Sequence, residues 1–249
     1  MTGLLKGKAA FVTGGAAGLG LAIVEAFAAA GARGLVFDIA APARPFPKGW
    51  RHRPGDLRAE KSIASALAAM KDEFGHLDIL VANAGVVPPW RNSDAIDLSE
   101  WDDAFAVNVR GVAATIKHGI PLMKAAGGSI IAMASVSALV GHARQAAYVA
   151  SKHAVLGIAR AVAQDVGRFG IRVNALCPGP VATPALLERL RQRAEHGSSP
   201  EKEAMRRYSQ TALGRIATAA EVAGAALFLA SDLSSGITGQ SIVVDAGAG

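Results

Sequence analysis

The stretch Ala9-Ala10-Phe11-Val12-Thr13-Gly14-Gly15-Ala16-Ala17-Gly18-Leu19-Gly20 decides the fold. Its first five residues are apolar or β-branched and read as a buried strand. Leu19 to Gly31 then reads as a helix, with Gly31 as its stop signal. The glycines between them permit a sharp turn and a close backbone approach to a pyrophosphate. Its charge would meet free N–H groups at the helix N-terminus. A tight turn with packing glycines would explain the triplet taken alone. Its place between strand and helix, and an acid 20 positions beyond Gly18, favour a dinucleotide. That acid is Asp38. A carboxylate there can accept from both adenosine ribose hydroxyls and repels a 2′-phosphate, so NAD is expected over NADP. Arg44, Lys48, Arg51 and Arg53 follow it, and any of them folding back over the ribose would admit NADP.

The alternation continues along the chain. Leu35–Asp38, Ile79–Val81, Ser129–Ala134, Arg172–Leu176 and Ser241–Val244 read as strands. Ile63, Leu67, Met70 and Phe74 mark an amphipathic helix. Ser99-Glu100-Trp101-Asp102 and Thr218-Ala219-Ala220-Glu221 resemble capping boxes that each open a helix. Short strands alternating with helices imply an α/β, doubly wound, mostly parallel sheet with helices on both faces. One domain over residues 1–249 is expected. Pro42, Pro45, Pro47 and Pro54 make residues 40–55 a loop in place of a crossover helix. Residues 184–215 read as an inserted helical lid, with Gly197-Ser198-Ser199-Pro200 separating two helices, Ser199 as N-cap and Pro200 at N1.

Composition sets bounds on function. The 249 residues carry a net charge of +6 and one cysteine, Cys177. That excludes an intramolecular disulfide framework and multi-cysteine zinc patterns, and no metal is expected. Cys177 reads as a small buried hydrophobe. Glycines break the apolar run after Lys6-Gly7-Lys8, against a signal peptide. The uncharged run Ala125–Gly141 has 17 residues, so even as a helix it falls short of a ~30 Å hydrocarbon core. A cytoplasmic protein without membrane association is expected. No recognition motif for nucleic acid appears. The positive excess concentrates in residues 42–58, with five Lys or Arg against one acid, and 184–215, with seven against four. Both segments are expected to flank the dinucleotide.

Gly14-x-x-x-Gly18-x-Gly20 is followed by Asn83-Ala84-Gly85, Asn108, Ser135, Tyr148-x-x-x-Lys152, and Pro178-Gly179 with Thr183. Phe228-Leu229-Ala230-Ser231 and Thr238-Gly239-Gln240 close the series. In this order the chain, from about Leu5 to Gly247, resembles the short-chain dehydrogenase/reductase family. The resemblance implies a Rossmann-like seven-stranded sheet and hydride transfer between a nicotinamide and a substrate carbon. It implies cofactor contacts from Gly14, Gly18, Leu19, Gly20, Asp38, Ile39, Asp56, Leu57, Asn83, Ala84, Gly85, Pro178, Gly179, Val181 and Thr183. Lys152 would also bind the nicotinamide ribose, with Tyr148 beside it, and Asn108 would hold a relay water. Homotetramers or homodimers through long helices are the family's habit. Ala82 and Ala246 depart from the common pattern without removing a catalytic group.

The residues themselves carry the chemistry. Tyr148 and Lys152, four apart, share one helix face, and an ammonium near a phenol favours phenolate. Tyr148 can then exchange a proton with a hydroxyl or carbonyl. Ser135, at a strand end, can hydrogen-bond the same oxygen. Asn108, Ser135, Tyr148 and Lys152 are thus the catalytic candidates. Ser137 and Gln145, in a run similar to sugar and polyol dehydrogenases of the family, and Arg144, which with the lid arginines could engage an anionic substrate, are candidate substrate contacts. His142 reads as a surface residue. The expected reaction is reversible NAD-dependent oxidation of a small secondary alcohol to a ketone. An NADPH-dependent 3-oxoacyl or other carbonyl reductase, with lid arginines gripping an acidic group, and a non-catalytic NAD-binding regulator are the alternatives.

Overall fold

The computed structural model describes residues 3–195 and 200–248. Strands β1 (Ala9–Thr13), β2 (Arg33–Asp38), β3 (Trp50–Pro54), β4 (Ile79–Ala82), β5 (Gly128–Met133), β6 (Ile171–Pro178) and β7 (Ser241–Val244) form one sheet. Its order is β3-β2-β1-β4-β5-β6-β7, and every neighbouring pair is parallel. The helices are α1 (Gly18–Ala29), α2 (Glu60–Phe74), α3 (Leu98–Phe105), α4 (Val112–Met123), α5 (Ala146–Val166), α6 (Pro184–Glu195), α7 (Glu201–Tyr208) and α8 (Ala219–Ala230).

Successive side chains of a strand face opposite sides, and the buried residues divide accordingly. Phe11, Leu35, Phe37 and Leu80 pack with α2, α4 and α5 through Ile63, Met70, Ile116 and Val155. Val12, Val36, Val81 and Ile131 pack with α1 and α8 through Ile23, Phe27, Val222 and Ala226 on the other face. A sheet covered on both faces explains why its central strands are continuously apolar. The strand order reverses between β1 and β4, and the crevice outside the carboxyl ends at such a switch point is where ligands bind.

Several local expectations change. Residues 40–55 hold no helix, as the prolines require, but Trp50–Pro54 adds the edge strand β3. Only Trp50 of it is buried. Its Nε1 donates to the Ala32 carbonyl at 3.1 Å and pins the strand. The helix expected from Ser99 begins at Leu98, because Asp97 is the cap and accepts from the N–H groups of Ser99 and Glu100. The Thr218–Glu221 capping box is formed as read. Pro200 occupies the N-cap of α7, one position before N1. Gly197, Ser198 and the expected cap Ser199 lie outside the described residues. Among the described residues no helix is long and apolar enough to cross a membrane.

Candidate active site

A cleft of about 720 Å³ runs across the carboxyl ends of β2, β1, β4, β5 and β6. Every cofactor candidate named from the sequence lines it. After β1 the chain turns at Gly14 (φ +66°) and Gly18 (φ +55°), the left-handed region that suits glycine. A Cβ at Gly14 would lie 2.7 Å from the Ala84 Cα, and one at Gly20 2.0 Å from the Gly14 carbonyl oxygen. Ala17 caps α1 with extended backbone and no side-chain bond, and no acid stands in the first turn. The donors at this helix start therefore have no capping side chain, which suits a pyrophosphate. Thr183 faces the turn, its Cγ2 3.9 Å from where a Gly18 Cβ would be.

Thr13 and Asn83 lock β1 to β4. The Asn83 amide donates to the Thr13 and Gly14 carbonyls at 3.0 and 2.9 Å. The Thr13 hydroxyl accepts from the N–H groups of Asn83 and Ala84. Asn83 thus holds the glycine turn in shape.

Asp38 ends β2 and accepts from Ala16 N–H at 2.9 Å and Ala40 N–H at 3.0 Å, one on each oxygen. A carboxylate has about four acceptor positions, so one per oxygen is left for two ribose hydroxyls. The basic loop does not fold back over it. Arg44 pairs with Glu25, and Arg51 and Arg53 pair with Glu73. Arg58 forks onto Asp103 at 2.7 and 2.8 Å and touches Asp56. The positive segments are thus largely matched by carboxylates, and of their cations Arg58, Arg189 and Arg207 line the cleft. Ile39 is 69% exposed beside Asp38, where an adenine face could lie. The turn, the uncapped helix start and the Asp38 oxygens fit a nicotinamide dinucleotide.

At the other end, Ser135, Tyr148 and Lys152 line the same cleft. Ser135 follows β5 and caps a short 3₁₀ turn, its Oγ accepting from Ser137 N–H at 3.1 Å. Burial pushes the Tyr148 phenol above its ordinary range, while the Ser135 hydroxyl and the charge of Arg189 pull it back. Burial holds Lys152 down at about 8. The Lys152 Nζ donates to the Met133 carbonyl at 2.9 Å and lies 5.8 Å from the Tyr148 ring centroid. The expectation that Lys152 itself lowers the phenol therefore changes. Four residues along the helix, its long side chain reaches past the ring to β5, and Ser135 and Arg189 oppose the burial instead.

Asn108 lies behind the cleft on a π-helical turn, Ala106–Gly111, between α3 and α4. Such turns displace one residue from the helical repeat. Its Oδ1 accepts from Val86 N–H at 2.8 Å, and its Nδ2 donates to the Val86 carbonyl and to Ser151 Oγ. Ser151 in turn donates to the Tyr148 carbonyl at 2.8 Å. Asn108 and Ser151 thus tie the loop after β4 to the helix that carries Tyr148.

Ser137 and Gln145 reach the cleft, but Arg144 does not line it. A left-handed backbone (φ +64°) turns Arg144 onto the Trp90 ring, 5.0 Å from its centroid. Trp90 lines the cleft, as do His142, Leu186, Arg189, Arg207, Tyr208 and Gln210. Cys177 is fully buried in the core. Trp90, Ser151 and Tyr208 escaped the sequence reading. Trp90 had one available signal, its position after Pro88-Pro89 beyond a strand end, where binding loops occur.

The comparisons agree with this geometry. A family model described as enoyl-(acyl carrier protein) reductase matches residues 14–249. D-beta-hydroxybutyrate dehydrogenase of Rhizobium meliloti is 36% identical, over 96% of this chain and 98% of that protein. D-threitol dehydrogenase of Mycolicibacterium smegmatis is 36% identical, over 98% and 93%. The crystal structure of carveol dehydrogenase from Mycobacterium avium in complex with NAD superposes with a TM-score of 0.88 and 31% identity, covering 99% of each chain. The chain belongs to the short-chain dehydrogenase/reductase family. It is an oxidoreductase of the alcohol–ketone type that uses a nicotinamide cofactor.

Proposed function

We propose that this protein is an NAD-dependent dehydrogenase that reversibly oxidises a small secondary alcohol to a ketone. The observation that carries the reading is the convergence of Ser135, Tyr148 and Lys152 on the cleft that the glycine turn and Asp38 also line. Gly14, Gly18, Leu19 and Gly20 would hold the pyrophosphate, Asp38 the adenosine ribose, and Lys152 the nicotinamide ribose. Asp56 and Leu57 would bound the adenine, with Asn83, Ala84, Gly85, Pro178, Gly179, Val181 and Thr183 along the remaining length. Bound NAD supplies the hydride acceptor. Tyr148 takes the hydroxyl proton during oxidation and returns it to the carbonyl oxygen during reduction. Ser135 donates to the same oxygen and steadies its developing charge. Lys152, held by Met133, keeps a positive charge beside the reacting oxygen below about pH 8. The Asn108 side chain is occupied by Val86 and Ser151, so a relay water would rest on its main-chain carbonyl.

Pairing of Arg44, Arg51 and Arg53 away from Asp38 supports NAD over NADP. Ser137 and Gln145 favour a hydroxylated substrate, and the relative that acts on D-threitol is consistent with that. Helices α6 and α7 act as a lid over the reacting end. The protein works in the cytoplasm as a homotetramer or homodimer, packed through the Ala-rich α4 and α5. Initial rates with NAD and NADP over an alcohol panel, for wild type and Tyr148→Phe, test the reading. The substitution is expected to lower kcat by about 10²–10⁴. Unchanged turnover of a good substrate overturns the catalytic assignment, and a clear NADP preference overturns the cofactor.

A further inference from the structure

Arg189 stands apart from the other arginines of its segment. On α6 it lies three residues after Leu186 and beside Leu190, which are 8% and 3% exposed and seat the helix on the body of the protein. Arg191 and Glu188 point the other way and pair with each other in solvent. Arg189 instead lines the cleft, and its Nε is buried with no hydrogen-bond partner among the described residues. No carboxylate among those residues forms an ion pair with it. The groups that feel its charge are two phenols, Tyr148 and Tyr208. A guanidinium withdrawn from water without a partner is costly, and an oxyanion is its natural complement.

The remaining charges of the cleft say where that anion comes from. The two carboxylates lining it, Asp38 and Asp56, lie at the far end beyond β2 and β3, and both are engaged. The pyrophosphate has its own donors at the start of α1. Arg189 lines the cleft that Tyr148 also lines, and each responds to the other's charge. A planar guanidinium fork matches a carboxylate through two parallel hydrogen bonds.

We infer that Arg189 is a specificity residue that binds a carboxylate of the substrate, so that the enzyme acts on short hydroxy acids and the corresponding oxo acids. This rests on the dehydrogenase reading above and narrows it. Arg189 and Tyr148 line one cleft, so a single small substrate can offer its hydroxyl to the phenol and its carboxylate to the guanidinium. Oxidation removes a hydride from the carbinol carbon and a proton from its oxygen. The carboxylate is untouched and serves as the handle.

The test sets 2- and 3-hydroxycarboxylates of about three to six carbons against their methyl esters, which keep the reacting centre and lose the charge. Wild type is expected to prefer the best acid over its ester in kcat/KM. Arg189→Met is expected to reduce that preference by about 30-fold or more, with the loss in KM, and Arg189→Lys to restore part of it. Arg191→Met, on the outer face of the same helix, is expected to leave the preference unchanged. Calorimetric binding of the matching oxo acid to the NADH complex gives a second readout and should weaken in Arg189→Met alone. Several outcomes overturn the inference. They are equal losses on acid and ester, a pH profile shifted alike for both, weakened NAD binding by the variant, and wild-type preference for neutral alcohols. Those outcomes leave the dehydrogenase reading intact when Tyr148→Phe abolishes turnover. If Tyr148→Phe changes nothing while the oxo acid still needs Arg189 to bind, the dehydrogenase reading fails and the anion site stands.

Discussion

The Lys152 ammonium is joined to the main-chain carbonyl of Met133 at 2.9 Å, so β5 and not the phenol of Tyr148 fixes that cation. Lys152 is held at about 8 against 10.5 for a free lysine because burial disfavours its charged form. Between those values the unfolded chain binds more protons than the folded one, so stability rises with pH across that window. The penalty for burying the cation is largest below about 8 and amounts to at most about 3 kcal/mol. Urea unfolding at about pH 7 and about pH 10 should show wild type gaining on Lys152→Met as pH rises. A pH-independent difference between the two proteins contradicts this.

Tyr148 is held above 10.0 by burial, and oxidation needs its unprotonated form. Alcohol oxidation should therefore accelerate with pH from about 7 to about 10, while ketone reduction declines over that range. Ser135→Ala removes a hydroxyl that lowers this pKa, so the oxidation profile should move to higher pH. It should also lose about 10²–10³ in kcat. Initial rates in both directions across the pH range decide the point, and a profile unmoved by the substitution refutes the Ser135–Tyr148 link.

Asp38 serves both the glycine turn, through Ala16, and the expected ribose. Asp38→Ser should reduce kcat/KM with NAD by about tenfold or more and raise the ratio of NADP to NAD use. Paired kinetics with the two cofactors measure this. An unchanged ratio means that the carboxylate does not read the ribose.

Two substitutions should separate catalysis from stability. A Cβ at Gly85 would lie 3.1 Å from Asn108 Oδ1 and 3.5 Å from Lys152 Nζ. Gly85→Ala is expected to cut kcat by roughly tenfold with little change in Tm, because the strain falls on catalytic geometry. Thr218→Ala breaks the capping box of α8, and neither Thr218 nor any residue of that helix lines the cleft. It should cost about 1 kcal/mol in urea unfolding and leave kcat unchanged. The opposite pattern in either variant would show that the cleft and its scaffold are not separable in this way.

Features set by local spacing were legible in the sequence. The strand–glycine–helix unit, Asp38 at the end of β2 and the Tyr148–Lys152 pair all follow from residues close in the chain. Strand β3 was hidden because Arg51, His52 and Arg53 show no apolar alternation, and an edge strand needs little burial. The cap of α3 was misplaced because Ser99 and Asp97 are both cap formers, and the choice between them depends on the bond that forms. Arg144 was assigned to the substrate because a left-handed φ, which redirects its side chain to Trp90, leaves no composition signal. Arg189, Tyr208 and Trp90 come to line one cleft with Tyr148 only through tertiary folding. The Tyr148 pKa depends on burial, which spacing along a helix does not report.

The π turn at Ala106–Gly111 makes this part of the molecule sensitive to length more than to spelling. Removing one residue from the turn would let α3 run into α4 as regular helix, with the helix beyond kept in phase and the bulge that presents Asn108 lost. Val112 and Ile116 would keep their places in the core, while Asn108 could not keep both Val86 and Ser151. Point changes at Val109 or Arg110 carry no such geometric debt. Along this segment, tolerance to substitution and intolerance to deletion are expected to coexist.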